Sequence, residues 1–427
     1  MTMRLPHEAL DLVMSACEAL GAERVPIEQA FGRIAAGTLH AREDSPPFDH
    51  SAMDGYAVRA DDLRGASEAA PRVLRVVAEV RAGGRGDLAL RSGEAARIFT
   101  GAPLPAGADA VVMQEDTVAS DGEVRVRLEP RPGQHVRRRG EDLSAGAVAV
   151  EAGAYVGPAE IGLLASQRYA RCPVVRRPRV AIVPTGDELC EVGDAPSHGR
   201  IVDSNTYALA AQVREAGAVP SVLPVVADDE AALDRALGGA LDVADMVITS
   251  GGVSVGTYDL VQAAMARVGV RERFWKVAIK PGKPVWFGVR GRVPVFGLPG
   301  NPVSAMVIFE AFVRPALRRL QGDPRPYKAR VRVALAAGQR HRQGRLELLR
   351  VRLSPGPALD SPAVATPHPR QGSGALTGLV GMDALAFARA DVGDLAPGDH
   401  LDALPLGPAP RTATPHFEPP DARRAAP

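Results

Sequence analysis

A chain of 427 residues exceeds one ordinary domain of roughly 100 to 200 residues and implies several. With 51 Lys and Arg against 50 Asp and Glu, the net charge of +1 gives no global field to draw nucleic acid or a membrane surface, so any anion site must be local. Cys17, Cys172 and Cys190 form no C-x-x-C pair, the nine His form no ligand cluster, and the uncharged run over 293–309 is broken by Pro294, Pro299 and Pro302; these features exclude a zinc or redox centre and a membrane helix, and fit a cytoplasmic protein.

In chain order, Leu5, Ala9, Leu12, Val13, Ala16 and Leu20 fall on one stripe and predict a helix over 6–20. A second, shorter helix is expected over 27–36. From 46 to about 142 the pattern changes to short β-branched runs, 73–80, 95–99, 110–114 and 124–128, parted by Gly, Pro and Asp, which reads as mainly β. Helical spacing returns over 158–167, with Pro158 suited to the first turn. From 179 to about 320, apolar strands at 179–184, 222–226 and 245–250 alternate with helical patterns at 205–216, 229–237 and 258–267. Such alternation implies a parallel α/β sheet. Beyond Asp323-Pro324-Arg325-Pro326, strands over 329–336 and 346–353 open a small β region running to about 406. The Pro-rich segment from Arg411 is expected to be disordered.

Ligands of open α/β sheets bind at the carboxyl ends of the strands, so three loops stand out. Thr185-Gly186-Asp187-Glu188-Leu189 sets two acids behind a glycine turn, where they could hold a hydrated cation or merely open a helix. Gly251-Gly252-Val253-Ser254-Val255-Gly256 could present backbone N–H groups to an oxyanion, or be a tight strand-to-helix turn; it matches neither the Walker nor the dinucleotide fingerprint. Gly297-Leu298-Pro299-Gly300-Asn301-Pro302-Val303-Ser304 places Asn301 as an N-cap and Pro302 as the first helical residue, leaving N–H donors for an anion. Earlier in the chain, Phe48-Asp49-His50-Ser51-Ala52-Met53-Asp54-Gly55-Tyr56 and Arg137-Arg138-Arg139-Gly140-Glu141-Asp142 mix acids with guanidinium groups. They suit a polyanionic substrate met with a divalent ion, or are surface turns with neutralised charge.

The lysines sharpen this. Four of the 51 basic residues are Lys, and Lys276, Lys280 and Lys283 fall within Phe274-Trp275-Lys276-Val277-Ala278-Ile279-Lys280-Pro281-Gly282-Lys283-Pro284. Where the chain otherwise uses Arg, it here places compact point charges suited to an oxyanion, or a solvated face. Asn is equally scarce, present at Asn205 and Asn301.

As an ordered set, FDHSAMDGYAVR, TGAPLPAGADAVVMQE, RRRGEDLSAGA, TGDEL, SGGVSVGTYD, FWKVAIKPGKP and GLPGNPVSA closely resemble the molybdopterin molybdenumtransferase family, which includes bacterial MoeA and the E domain of gephyrin, over about residues 5–406. The resemblance implies a multidomain α/β plus β fold. Its parts would be a helical domain from 1–28 and 145–178, an inserted mainly β domain at 29–144, an α/β molybdopterin-binding domain at 179–325 and a C-terminal β domain at 326–410, with a tail at 411–427. It implies a reaction in which molybdate and adenylylated molybdopterin are bound, molybdenum is placed on the dithiolene sulfurs, and AMP leaves with the help of Mg²⁺. By similarity, Asp54, Asp142, Glu188, Lys276 and Lys280 are expected to be catalytic, the lysines as anion clamps. Thr100, Arg137, Asp228, Gly251, Gly252, Ser254, Asp259, Lys283, Pro299, Gly300, Asn301 and Ser373 are expected to bind substrate, and Glu188, Asp228 and Asp259 to ligate Mg²⁺. No general base is assigned, since water on Mg²⁺ or a molybdate oxygen could attack.

The family further implies a homodimer whose cleft combines the α/β domain of one subunit with the inserted domain of the other. Other cofactor-biosynthesis proteins and molybdoenzyme acceptors would be its partners, with no nucleic acid and no membrane. His50 stands where the family more often has Asn, which bears on that turn's hydrogen bonds alone. Two alternatives remain at this point: an adenylyltransferase, which the α/β segment resembles but which would lack the RRRGED and SAMDGYAVR segments, and a non-catalytic gephyrin-like scaffold.

Overall fold

The structure is a computed structural model that describes residues 3–84, 87–195, 197–251, 260–358 and 361–407. Helix α1 (Pro6–Ser15) opens with Pro6, and the Glu8 carboxylate accepts the Leu5 N–H at 3.1 Å. It ends five residues before the expected limit at 20. Beyond it the chain leaves helical geometry, and the Leu20 N–H donates to the Leu320 carbonyl at 2.8 Å. The helix expected over 27–36 does not form: one 3₁₀ turn (Ile27–Gln29) is followed by Gly32 at φ +77°, and the Ala36 N–H is taken by the Pro173 carbonyl.

The chain forms two units. The smaller comprises Val25–Phe31 and Gly37–Cys172; the larger comprises Met1–Arg24, Gly32–Ala36 and Pro173–Pro427. In the smaller, strands β1 (Gly55–Val58), β2 (Arg72–Val80), β3 (Glu94–Ile98), β4 (Ala110–Met113), β5 (Thr117–Ser120) and β6 (Glu123–Val126) make one sheet in the order β4-β1-β3-β2-β6-β5. Both faces are covered, because alternate residues enter different cores: Tyr56, Val58 and Val112 one, Ala57, Val111 and Ile98 the other. Gly55 permits the close pairing of β1 with β4, since a Cβ there would lie 1.9 Å from the Val112 carbonyl oxygen. Helix α2 (Pro158–Ser166) closes this unit, its Glu160 carboxylate accepting the Gly157 N–H.

In the larger unit the expected alternation appears as β7 (Arg179–Pro184), α3 (Ser204–Glu215), β8 (Val219–Val222), α4 (Glu230–Val243), β9 (Met246–Ser250) and α5 (Leu260–Arg267). After these come β10 (Arg271–Trp275), β11 (Ile279–Lys280), β12 (Trp286–Arg290), β13 (Val293–Leu298), α6 (Pro302–Ile308) and α7 (Arg314–Leu320). The sheet order is β8-β7-β9-β13-β12-β10, with β8, β7, β9 and β13 parallel and β12 and β10 antiparallel. The strand expected over 222–226 lies earlier, at Val219–Val222. Pro224 has no N–H for a ladder, and Val226 keeps one bridge, to Thr185. Val180, Ile182 and Phe296 enter one core with Val13 of α1 and Leu209 of α3; Ala181, Val183 and Val295 enter the other with Leu233 and Leu237 of α4.

The C-terminal strands β14 (Val331–Leu335), β15 (Leu346–Ser354), β16 (Ala363–Pro367), β17 (Ala384–Ala388) and β18 (His400–Pro405) close into a barrel in the order β15-β16-β14-β18-β17, with β17 returning to β15. The lysine segment joins this barrel: β11 runs parallel to β15, with Ile279 beside Leu346 and Lys280 beside Glu347. None of the helices among the described residues is long and apolar enough to cross a membrane.

Candidate active site

Parallel register puts the ends of β7, β9 and β13 side by side, as Pro184 pairs with Ser250 and Ser250 with Leu298. The loops that follow are hydrogen-bonded to one another. Thr185 N–H donates to the Ser250 carbonyl at 3.1 Å, Gly251 N–H to the Leu298 carbonyl at 3.2 Å and Gly186 N–H to the Val226 carbonyl at 3.2 Å. Gly251 needs its lack of a side chain: φ is +99°, and a Cβ would sit 2.6 Å from the Thr185 carbonyl oxygen. Of the glycine loop after β9, Gly251 is described; Gly252, Ser254 and Asp259 lie outside the described residues.

Asn205 ties two of these loops together from the first turn of α3. Its Nδ2 donates to Ser250 Oγ at 3.0 Å and to the Gly300 carbonyl at 2.8 Å, while Asp203 caps the helix by accepting the Thr206 N–H. Asn205 is 8% exposed, and its buried Oδ1 has no partner among the described residues. Asn205 is absent from the residues expected at the site, although the scarcity of Asn in the sequence is a usable signal for it.

Asn301 holds the N-cap position of α6, with Pro302 next, but its side chain makes no capping bond. Asn301 Nδ2 donates to Ser373 Oγ at 3.2 Å, and the Ser373 carbonyl accepts the Val303 N–H at 3.2 Å. The expectation of side-chain capping and free first-turn donors is therefore corrected: one of those donors serves Ser373. Pro299, Gly300, Asn301 and Ser373 come together. Arg350, fully buried and absent from the expected set, fixes the Ser373 loop by donating to the Gly372 and Arg370 carbonyls at 2.9 Å each and to Gln371 Oε1 at 3.1 Å. Burial pulls the Arg350 pKa below its ordinary value, against the opposing charge of Glu347.

The two acids after β7 open no helix; a turn leads instead to a two-residue strand, Leu189–Cys190. Asp187 Oδ1 accepts the Asp228 N–H at 3.1 Å. Partial desolvation, then repulsion from Asp187 and Glu188, raises the Asp228 pKa above the usual carboxylate range. Among the described residues no three of His, Cys, Asp or Glu form a group able to hold a metal. The three lysines have separate surroundings. Lys276, at φ +71°, stacks its Nζ 3.6 Å from the Trp275 ring centroid; Lys280 Nζ lies 2.8 Å from Glu347 Oε1; Lys283 is exposed.

In the smaller unit, Thr100 donates to Asp54 Oδ1 from both its N–H and its Oγ1, each at 2.8 Å. Those two bonds, backbone first, hold the Asp54 carboxyl below its ordinary pKa, with Arg97 adding to the effect. The pair over 136–137 joins His50–Ser51 in an antiparallel ladder that sets Arg137 opposite His50. The guanidinium groups are taken by acids: Arg137 by Glu141 at 3.3 Å, Arg138 by Asp49 at 2.8 Å and Arg139 by Asp44 at 2.6 Å. Asp142 is exposed and tied to Ser45, whose Oγ lies 3.4 Å from Oδ2.

Comparison with known proteins decides what this constellation belongs to. Residues 5–167 match the MoeA N-terminal region (domain I and II), 181–319 a probable molybdopterin binding domain, and 332–406 the MoeA C-terminal region (domain IV). Molybdopterin molybdenumtransferase 2 of Mycobacterium tuberculosis is 41% identical over 343 residues, covering 79% of this chain and 84% of that protein. The chain belongs to the molybdopterin molybdenumtransferase family. The Nostoc molybdopterin molybdenumtransferase is 43% identical over 70% of each chain, and a Pyrococcus horikoshii molybdopterin biosynthesis MoeA structure superposes with a TM-score of 0.80 at 34% identity, covering 95% of this chain and 99% of that one. The matches on both sides of the α/β segment set this chain apart from a single-domain adenylyltransferase, and the multidomain α/β plus β architecture of the family is present.

Proposed function

We propose that this protein is a molybdopterin molybdenumtransferase, which inserts molybdenum from molybdate into adenylylated molybdopterin and releases AMP in molybdenum cofactor biosynthesis. The observation that carries the reading is the union of strand-end loops by Asn205 and of the Asn301 loop with Ser373, in a chain related along most of its length to such transferases.

The chemistry of the residues fits a polyanion. Gly251 and Gly300 carry no side chain, so neither residue would keep a phosphate or pterin from its backbone. Lys276, Lys280 and Lys283 supply positive charge for the phosphoanhydride and for molybdate, a dianion. In the smaller unit, Asp54 oriented by Thr100, Asp142 and Arg137 are assigned to the same reaction. Glu188 and Asp228 would hold Mg²⁺, with Asp259 as the third candidate from the sequence. Desolvation first, and then repulsion from Asp187 and Glu188, raises the Asp228 pKa; a hard, oxygen-seeking cation relieves that repulsion, and Mg²⁺ needs few carboxylates when substrate oxygens and water complete its shell. Bound there, Mg²⁺ would supply charge neutralisation at the scissile phosphoanhydride. The protein's part is to hold the substrate's anionic groups at the strand ends and to balance their charge.

The same reading makes the working assembly a cytoplasmic homodimer, which light scattering at micromolar concentration checks. The decisive assay incubates purified protein with adenylylated molybdopterin, molybdate and Mg²⁺ and follows AMP. Absence of AMP would overturn the catalytic reading and leave the scaffold.

A further inference from the structure

Lys280 is fixed through two buried side chains, Glu347 and His341. The β11–β15 register places it beside Glu347, and its Nζ lies 2.8 Å from Oε1 of that carboxylate, which is 4% exposed. The other oxygen of Glu347, Oε2, lies 3.0 Å from Nδ1 of buried His341. His341 is itself held at two further points: its Nε2 is 2.9 Å from the Arg389 carbonyl, and its backbone N–H donates to Asp394 Oδ1 at 2.8 Å. A carboxylate this buried needs partners on both oxygens, and it has them. With Oε2 locked, Glu347 cannot turn away from the ammonium. A lysine side chain, otherwise the most mobile of cations, is thereby given one position while remaining half exposed.

We propose that Glu347, locked by His341, is a positioning residue that holds the Lys280 ammonium in place for the oxyanion of the substrate. The inference rests on the assignment of Lys280 to the transferase reaction. Its consequence is that truncating Glu347 harms turnover by releasing a cation, not by removing one.

The chain has four lysines, so protein labelled with ¹³C at lysine Cε gives four side-chain signals, and Lys280→Gln identifies the one that matters. In Glu347→Gln the Lys280 signal should move towards that of a free lysine, with Lys276, Lys283 and Lys328 unmoved; Glu347→Asp should retain much of the native shift, and His341→Gln should fall between. In the AMP-release assay, Glu347→Gln should lower kcat by roughly ten- to a hundredfold, with KM for adenylylated molybdopterin within about twofold, and Glu347→Asp should restore part of the loss. A Lys280 signal indifferent to Glu347→Gln would overturn the proposal, as would unchanged kcat in a protein whose Lys280 signal had moved. If all four signals shift, the Gln variant has misfolded and the Asp and His341 variants decide by the same two readouts. A wild-type protein that releases no AMP would refute the transferase reading, while the lysine signals still decide the tether.

Discussion

Asn301 and Ser373 meet side chain to side chain at 3.2 Å, although Asn301 stands at the residue position from which α6 would be capped. The cap is thus exchanged for a link between the loop after β13 and a loop of the C-terminal barrel.

Asn301→Ala tests that link. It removes the donor to Ser373 Oγ and breaks no capping bond, so stability in urea should hold within about 1 kcal/mol while AMP release falls by roughly tenfold or more. Ser373→Ala should lose activity similarly. Full activity of Asn301→Ala would show that the link is incidental.

Asn205→Ala should do more damage to stability. It leaves the buried Ser250 Oγ and the Gly300 carbonyl, whose bond is half-buried, without their donor, a loss of about 1–3 kcal/mol, reduced somewhat because the unpaired Oδ1 is removed as well. Denaturation followed by fluorescence of Trp275 and Trp286, both in the larger unit, measures it. A change below a few tenths of a kcal/mol would mean that the loops hold without Asn205.

Much of this fold was legible because it is local. The apolar run of residues 179–184 coincides with the strand Arg179–Pro184, and the three loops at the strand ends follow from the alternation of strand and helix. The features missed depend on distant partners. No pattern near Lys280 announces that it pairs with a barrel strand more than sixty residues later, nor does periodicity show Arg350 gripping Arg370 and Gly372. The failed helix over 27–36 is a different case: its apolar spacing was adequate, but Gly32 adopts a positive φ and the backbone finds its partner at Pro173.

The smaller unit should be sensitive to acid. Asp44, Asp49 and Asp54 all have folded-state pKa values below the ordinary one, in each case first through a backbone N–H, from Ala145, Arg139 and Thr100 respectively. A depressed carboxyl contributes stability that is complete above its unfolded value of about 3.9 and is lost as pH falls through the lower folded value. Hydrogen exchange of peptides from 37–172 should therefore rise below about pH 4. Asp49→Asn should flatten that rise; an unchanged acid profile would count against the carboxylates as its cause.

Asp228 has the opposite sign. Its folded-state pKa is raised, so the ionised form is less favourable in the folded protein than in the unfolded chain, and stability falls as pH climbs from the unfolded value through the folded one. At neutral pH the carboxylate is thus a small burden, because the group is exposed and screened. Asp228→Asn should raise the thermal midpoint slightly, by a gain below about 1 kcal/mol, while abolishing most AMP release. Mg²⁺ provides the second half of the test: at neutral pH it should stabilise the wild type, since a ligand that binds the folded state alone shifts the midpoint upward, and should do so much less for Asp228→Asn. A variant less stable than wild type without metal would show that ionised Asp228 is not disfavoured by desolvation and its neighbours, and one that gains as much from Mg²⁺ would show that Asp228 is no part of the cation site.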